Sequence, residues 1–247
     1  MDYKYVVVIL VYRNIDDLEE CVNSIYQKMS NVKIIIVNSF YDEESFQEVK
    51  SCANNNKCDF VNTENKGYGH GNNIGISYAV NHYKFDYIII ANPDIIVRKF
   101  DDTNLEQYDV IAPKIITLSG KKQNPIWVFD NKRIEKIQYI GYKYSLNALV
   151  YLGIAINKII REAYNIFRKT DFYVYGAHGS FIIFKYSAIK DLLDLFDENM
   201  FMYAEETLLA YKLNNAGIKV RYTQKIEILH KEDGSVKLSS LNVMDEI

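Results

Sequence analysis

The 247 residues fit one large domain, and a 49% hydrophobic share is ample for a full core. A formal charge of −3 argues against a nucleic-acid partner held by net charge. Met1-Asp2-Tyr3-Lys4 leads straight into a strand-like run, so no signal peptide is expected, and no apolar run reaches the ~20 residues that cross a bilayer.

Tyr5 to Tyr12 is a continuous apolar run and predicts a buried strand. Asn14 can cap the helix that follows, whose stripe is Leu18, Cys21, Val22, Ile25 and Met29. Cys21 on that stripe reads as core. With Cys52 and Cys58 it makes an odd count without CxxC spacing, as expected of reduced thiols in a cytosolic protein. Lys33–Val37 predicts a second strand, ending at Asn38-Ser39. A helix with Phe46, Val49 and Ala53 inward follows and breaks at Asn54-Asn55-Asn56; Asp59–Val61 is a brief third strand. The order β-α-β-α-β predicts a parallel sheet with right-handed crossovers.

Asn65-Lys66-Gly67-Tyr68-Gly69-His70-Gly71-Asn72-Asn73-Ile74-Gly75 reads as a tight glycine loop able to approach a ligand closely, before a helix carrying Ile76, Ala79, Val80 and Tyr83. A dinucleotide-binding fingerprint belongs after the first strand, where this chain has Arg13-Asn14 and no glycine, so that match is weak. Tyr87-Ile88-Ile89-Ile90-Ala91 predicts a central strand, stopped by Asn92-Pro93 because proline has no N–H for the ladder. Asp94 thereby falls just past the C-terminal strand edge, where open α/β sheets bind ligands. It either holds a divalent cation or caps the turn after Pro93.

Asp109–Pro113 predicts another strand, and residues 117–143 read as loop. Between Lys121 and Lys169 stand ten Lys/Arg against three Asp/Glu, in an otherwise acidic chain. Leu149, Leu152, Gly153, Ile156, Ile160, Ala163 and Phe167 predict one face of a long helix, ringed by Lys143, Lys158, Arg161, Arg168 and Lys169. It is either a core-packing helix or one lying on anionic lipid, for which Leu146–Ile156 has a suitable length. Ser180–Lys185 predicts a strand, and Ser187 the cap of a helix burying Ile189, Leu192, Leu193 and Phe196. Glu205 and Glu206 then open a helix with Leu209, Leu213 and Ala216, closed by Gly217. The two glutamates either favour the helix dipole or supply a general base, one carboxylate's pKa being raised by its like-charged neighbour and by partial burial. Strands Lys219–Tyr222 and Ile226–Leu229 follow, with His230 just past the last as a structural residue or a metal ligand, and then a polar tail from Lys231 to Ile247.

Taken in order, Val11-Tyr12, the Asn65–Gly75 stretch, Asn92-Pro93-Asp94, Phe196-Asp197-Glu198-x-x-Phe201-x-Tyr203-x-Glu205-Glu206 and His230 resemble a known family. It is the family-2 inverting glycosyltransferases of GT-A fold, in particular their rhamnosyl- and galactofuranosyltransferase-like branch. The resemblance runs from Val6 to His230. It implies a mixed, mostly parallel α/β sheet flanked by helices, with a helical insertion around 144–169. It implies a single domain over 1–247, with a nucleotide-sugar half at 1–115 and an acceptor and catalytic half at 116–235.

Position by position, the resemblance makes Asp94 the last acid of a DxD motif binding Mn²⁺ or Mg²⁺, with His230 completing the site. Glu206 becomes the catalytic base and Glu205 its companion. Tyr12, Asn38, Lys66, Gly67, Asn72 and Asn92 lie along the donor nucleotide, and His178 and Gly179 border the acceptor. The chain departs from the family pattern at Asn92, where an acid is usual, at Asn38, where an aspartate is usual, at Arg13, where an asparagine is usual, and at Glu206, which is a methylene longer than the usual aspartate.

The implied partners are a nucleotide-sugar donor (a UDP- or dTDP-sugar), a lipid-linked or oligosaccharide acceptor and a membrane surface; the resemblance also admits a homodimer. The implied place is cytoplasmic, peripheral on the inner face of the plasma membrane. Two rival readings are a non-catalytic sugar-nucleotide-binding homologue in a synthesis complex and a nucleotide-dependent oxidoreductase.

Overall fold

A computed structural model describes residues 2–13, 15–167, 171–192, 194–201 and 205–232. The first half is a parallel α/β unit: β1 (Asp2–Val11), α1 (Leu18–Lys28), β2 (Val32–Phe40), α2 (Glu43–Asn55), β3 (Asp59–Glu64), α3 (Tyr68–His82) and β4 (Lys84–Ala91). The second comprises β5 (Ile95–Phe100), β6 (Val110–Thr117), α4 (Lys132–Lys143), α5 (Asn147–Phe167), β7 (Phe172–Val174), β8 (Phe181–Lys185), α6 (Tyr186–Ile189), α7 (Glu205–Asn215) and β9 (Val220–His230). All the strands join one sheet, in the order β3-β2-β1-β4-β8-β6-β9-β5, with β7 also on β9.

Strands β3, β2, β1 and β4 run parallel; β8 enters antiparallel between β4 and β6. Alternation along β1 sorts the core into two layers. Val7 and Ile9 pack with Leu18, Cys21, Ile25 and Val49 under α1 and α2, while Val6 and Val8 pack with Ile76 and Ala79 under α3. Ile88, Ile89 and Ile90 are fully buried, each contributing about 1.5–3 kcal/mol of apolar transfer.

Several elements differ from the sequence reading. The glycine stretch is largely helical, since α3 begins at Tyr68. The segment 117–143, expected as loop, contains α4. The helix expected to run from Ser187 to Phe196 is only the single turn α6, and Leu193 lies outside the described residues. The two strands expected at 219–229 are one, β9, which changes register against β6 between Pro113↔Thr223 and Lys114↔Glu227. Helix α1 starts at Leu18 with Asp17 at its N-cap position; Asn14, Arg168, Lys169, Tyr203 and the tail beyond Glu232 lie outside the described residues. No helix among the described residues is long and apolar enough to cross a membrane.

Helices α4 and α5 form a hairpin packed through small residues. A Cβ on Gly141 would lie 2.7 Å from Val150, and one on Gly153 2.5 Å from Gln138. The hairpin is fastened to the body by polar contacts: Asn157 Nδ2 donates to the Ile126 carbonyl (3.1 Å), and Arg161 Nη2 to those of Lys122 (2.9 Å) and Gln123 (3.2 Å). Arg161 is thus turned inward, not outward with the other basic residues as expected. Leu152 and Phe167, expected inward, are exposed.

Candidate active site

Asp94 sits in the turn between β4 and β5. Because β5 pairs antiparallel with β9 in the register Ile95↔His230, the end of β9 returns beside it. His230 Nε2 lies 3.3 Å from Asp94 Oδ1, and both residues are buried. The Lys231 N–H closes the corner on the Asp94 carbonyl at 3.0 Å. Among the described residues no cluster of three or more His, Cys, Asp or Glu side chains could hold a metal. The pair itself fits a divalent cation that takes its remaining ligands from phosphate oxygens and water, because such ions are commonly bound by one or two protein groups plus substrate.

The turn His178-Gly179-Ser180, leading into β8, lies between this pair and the glutamates. Its His178 ring is 5.5 Å from that of His230. The backbone N–H groups of Asn92 and Ser180 donate to the Ser180 carbonyl (2.9 Å) and to His178 Nδ1 (3.1 Å) respectively. Asn124 Oδ1 accepts from the His178 N–H at 2.7 Å, and its Nδ2 donates to the Pro113 carbonyl at 2.9 Å. Burial, and then the neighbouring His230, lower the His178 pKa to about 3, so its ring is neutral.

On the far side of the turn, the Gly179 N–H donates to Glu206 Oε1 at 3.2 Å, and Tyr68 OH donates to the Gly179 carbonyl at 2.9 Å. A Cβ at Gly179 would stand 3.0 Å from that carboxylate oxygen and 3.1 Å from the phenol, which is why glycine occupies the position. Burial, then Glu206 and Glu205, push the Tyr68 phenol up, so it remains a donor. Glu205 is buried beside Glu206 at the start of α7.

The glycine stretch also has a packing role. Gly67 (φ +99°) and Gly69 let the start of α3 meet the 196–201 segment: their Cβ atoms would lie 2.2 Å from the Phe201 carbonyl oxygen and 2.6 Å from that of Asp197. Gly71 and Gly75 seat the helix on Leu10 and Val8. Asn73 exchanges hydrogen bonds with the Phe196 backbone (2.9 and 3.1 Å). Glu198 accepts from Asn73 Nδ2 at 3.0 Å and lies 2.8 Å from His70 Nδ1, and these bonds, His70 first, hold its carboxyl below the usual range. The Phe-Asp-Glu segment is therefore latched to α3, and through it to the sheet.

Of the other expected donor-side residues, Tyr12 packs edge-on against Tyr41 (5.7 Å) at the ends of β1 and β2, and Arg13 lies over Tyr41 at 4.1 Å. Asn38 is buried and donates to Asn62 Oδ1 at 2.7 Å. Lys66 is exposed and paired with Glu64 at 2.8 Å. Asn72 is fully buried; its Nδ2 donates to the Tyr68 carbonyl (3.0 Å), and its Oδ1 has no partner among the described residues. The Asn92 side chain makes no hydrogen bond among the described residues. The structure thus gathers Asp94, His230, His178, Gly179 and Glu206 at one turn, with Tyr12 and Asn38 along the neighbouring strand ends. Sequence reasoning missed Tyr68, Tyr41, Gln123 and Asn124. The last two fall in a stretch without periodicity, and nothing in the sequence singles them out.

Comparison with known proteins agrees with this architecture. The chain is 22% identical over 225 residues to the low-salt glycan biosynthesis hexosyltransferase Agl10 of Haloferax volcanii, covering 87% of this chain and 64% of that protein. It is 24% identical over 229 residues to the rhamnosyltransferase WbbL of Escherichia coli, covering 91% of this chain and 82% of that one. Among solved structures, the mannosyltransferase PcManGT of Pyrobaculum calidifontis, in complex with GDP-Man and Mn²⁺, superposes with a TM-score of 0.58 at 14% identity, over 93% of this chain and 57% of that one. That likeness gives the shared GT-A fold. The pattern described as Glycosyl transferase family 2 matches residues 6–193, well over half the sequence, and the chain belongs to that family.

Proposed function

We propose that the chain transfers a hexosyl or deoxyhexosyl group from a nucleoside-diphosphate sugar to an acceptor hydroxyl, with inversion at the anomeric carbon. One observation carries the reading: a buried carboxylate–imidazole pair and a backbone-held glutamate flank the same three-residue turn. Asp94 and His230 would hold Mn²⁺ or Mg²⁺, which when bound neutralises charge on the departing diphosphate. Tyr12, Asn38, Lys66, Gly67, Asn72 and Asn92 would line the donor, and His178 and Gly179 would border the sugar and acceptor. Glu206 would accept the proton of the attacking hydroxyl, with Glu205 buried behind it. As the acceptor oxygen bonds to the anomeric carbon, the bond to the diphosphate breaks on the opposite side. Holding both substrates at one turn supplies their orientation.

The donor class proposed is a UDP- or dTDP-sugar such as rhamnose, galactose or galactofuranose, and the acceptor a lipid-linked or oligosaccharide chain in surface-polysaccharide synthesis. The relatives' names, a hexosyltransferase of glycan biosynthesis and a rhamnosyltransferase, support this. The first test is thermal stabilisation by UDP and dTDP with and without Mn²⁺. Stabilisation should need both metal and Asp94, and an equal effect in Asp94→Ala or in chelator contradicts the metal assignment.

We further propose a peripheral position on the inner face of the membrane, through the α4–α5 hairpin. The hairpin carries many of the large exposed apolar side chains, among them Tyr142, Tyr151, Ile159, Ile166 and Phe167, each at least two-thirds exposed. Lys132, Arg133, Lys136, Lys143 and Lys158 are exposed on the same hairpin. Apolar surface beside basic charge suits anionic lipid, each basic residue near such a surface contributing about 1 kcal/mol. Co-sedimentation with anionic vesicles should be strong at low salt and weak at high salt or with neutral vesicles. A salt-independent dimer in the absence of lipid would assign the face to a second copy instead.

A further inference from the structure

We infer that Gln123, oriented by Glu232, is a positioning residue that keeps the hydrogen of His230 on Nδ1 and so turns Nε2 toward Asp94. The inference builds on the metal reading of that pair but is testable in the metal-free protein.

Gln123 Nε2 donates to Glu232 Oε1 at 2.9 Å, and a carboxylate only accepts. The amide nitrogen must therefore face Glu232 and the amide oxygen the other way, where it meets His230 Nδ1 at 2.7 Å. An amide oxygen also only accepts, so Nδ1 carries the hydrogen. Nε2 is then the ring nitrogen turned to Asp94, 3.3 Å from its Oδ1, and the one a cation entering that corner would meet.

The amide is itself held. The Gln123 N–H donates to the Ile115 carbonyl at 3.0 Å, and the Gln123 carbonyl accepts from the Arg161 guanidinium. The loop that fixes the histidine is thus clamped by α5. His178 provides an internal contrast. The Ser180 N–H donates to its Nδ1, so there the hydrogen sits on Nε2. The adjacent rings are fixed in opposite senses: Nδ1 donates in His230 and accepts in His178. With Asn92 where a second acid is usual in the family, an imidazole nitrogen already turned to Asp94 would supply the second protein ligand. Metal-binding histidines generally donate their other N–H to an orienting acceptor, and losing that acceptor typically costs 10–100-fold in metal affinity.

The test uses the full chain, ¹⁵N-labelled and metal-free, and long-range ¹H–¹⁵N spectra of its four histidines. Wild type should show His230 protonated at Nδ1 and His178 at Nε2. Glu232→Leu alters an exposed side chain and should leave the fold intact while giving His230 a mixture of tautomers; Gln123→Leu should lose the Nδ1–H form. Neither should change His178. In parallel, Mn²⁺ affinity read by electron paramagnetic resonance with UDP present should fall about 10–100-fold in Gln123→Leu. The double exchange Gln123→Glu with Glu232→Gln keeps an acceptor on Nδ1 and a donor behind it, and should restore both readouts. A wild-type His230 without a hydrogen on Nδ1, or an unchanged state of that nitrogen in both single variants, overturns the assignment. Failure of wild type to bind Mn²⁺ overturns the metal reading alone, since the tautomer is read without metal.

Discussion

Replacing Gly67 by alanine tests the claim that the glycine stretch is shaped by the 196–201 segment and not by a ligand alone. Gly67 has φ +99° and ψ 176°, a region that is nearly glycine's own and costs a side-chain-bearing residue about 1–3 kcal/mol. The new Cβ would also stand 2.2 Å from the Phe201 carbonyl oxygen, 2.7 Å from its Cα and 2.8 Å from its carbonyl carbon. These are backbone atoms, so no rotamer change relieves the contact. Moving Phe201 away breaks the hydrogen bond from the Tyr68 N–H to its carbonyl (3.1 Å), worth about 1 kcal/mol. The total is about 2–4 kcal/mol, or a Tm lowered by roughly 5–15 °C at 2–4 °C per kcal/mol for a chain of this size. Gly217→Ala is the reference. Its φ is +74° with nothing within 4 Å of the new Cβ, so only the left-handed penalty of about 1–2 kcal/mol applies. Thermal melts by circular dichroism decide the matter. If Gly67→Ala melted within roughly 2 °C of Gly217→Ala, the packing account of the stretch would fail.

The carboxylates give further predictions. Glu206→Gln should keep nucleotide binding and lose transfer by about 10²–10⁴-fold, the usual range for a general base. A dead Glu205→Gln beside a near-normal Glu206→Gln would move the base by one position. Glu198 has its pKa lowered chiefly by its bond with His70, so its contribution to stability is present above the unfolded carboxylate pKa and is lost as pH falls through the folded value. Glu198→Gln should accordingly flatten the acid limb of the stability curve below the unfolded carboxylate pKa; an unchanged limb refutes the latch. Neutralising Lys132, Lys136, Lys143 and Lys158 together should abolish binding to anionic vesicles without shifting Tm, and unchanged sedimentation would remove the hairpin from the membrane reading.

The first half of the fold was legible because its signals are local. The run Ile88-Ile89-Ile90 can be little but a doubly covered strand, and the stripes of α1 and α2 fall at helical spacing. Glycine lowers helix propensity and so hides the start of α3 in the sequence, whereas its glycines answer to neighbours distant in sequence. The polar Thr223-Gln224-Lys225 makes β9 look like two strands, and the register shift against β6 accommodates those residues inside one. Helix α4 buries only Ile134 and Gly141, too narrow a stripe to register. Asp94, Glu206 and His230 stand in motifs the sequence displays, and His178 follows only from the family resemblance. Gln123 and Asn124 do neither, since their importance arises only when the loop meets β9 and the turn before β8.

Metal-assisted transfer with inversion across the His178–Ser180 turn can be read from the product by anomeric NMR. Wild type and Glu206→Gln would be incubated with UDP- and dTDP-sugars, an oligosaccharide or lipid-linked acceptor and Mn²⁺. Wild type should form a product of anomeric configuration opposite to the donor's, suppressed by chelator and nearly absent with Glu206→Gln. A product of retained configuration, or one formed equally well by Glu206→Gln, would contradict that mechanism.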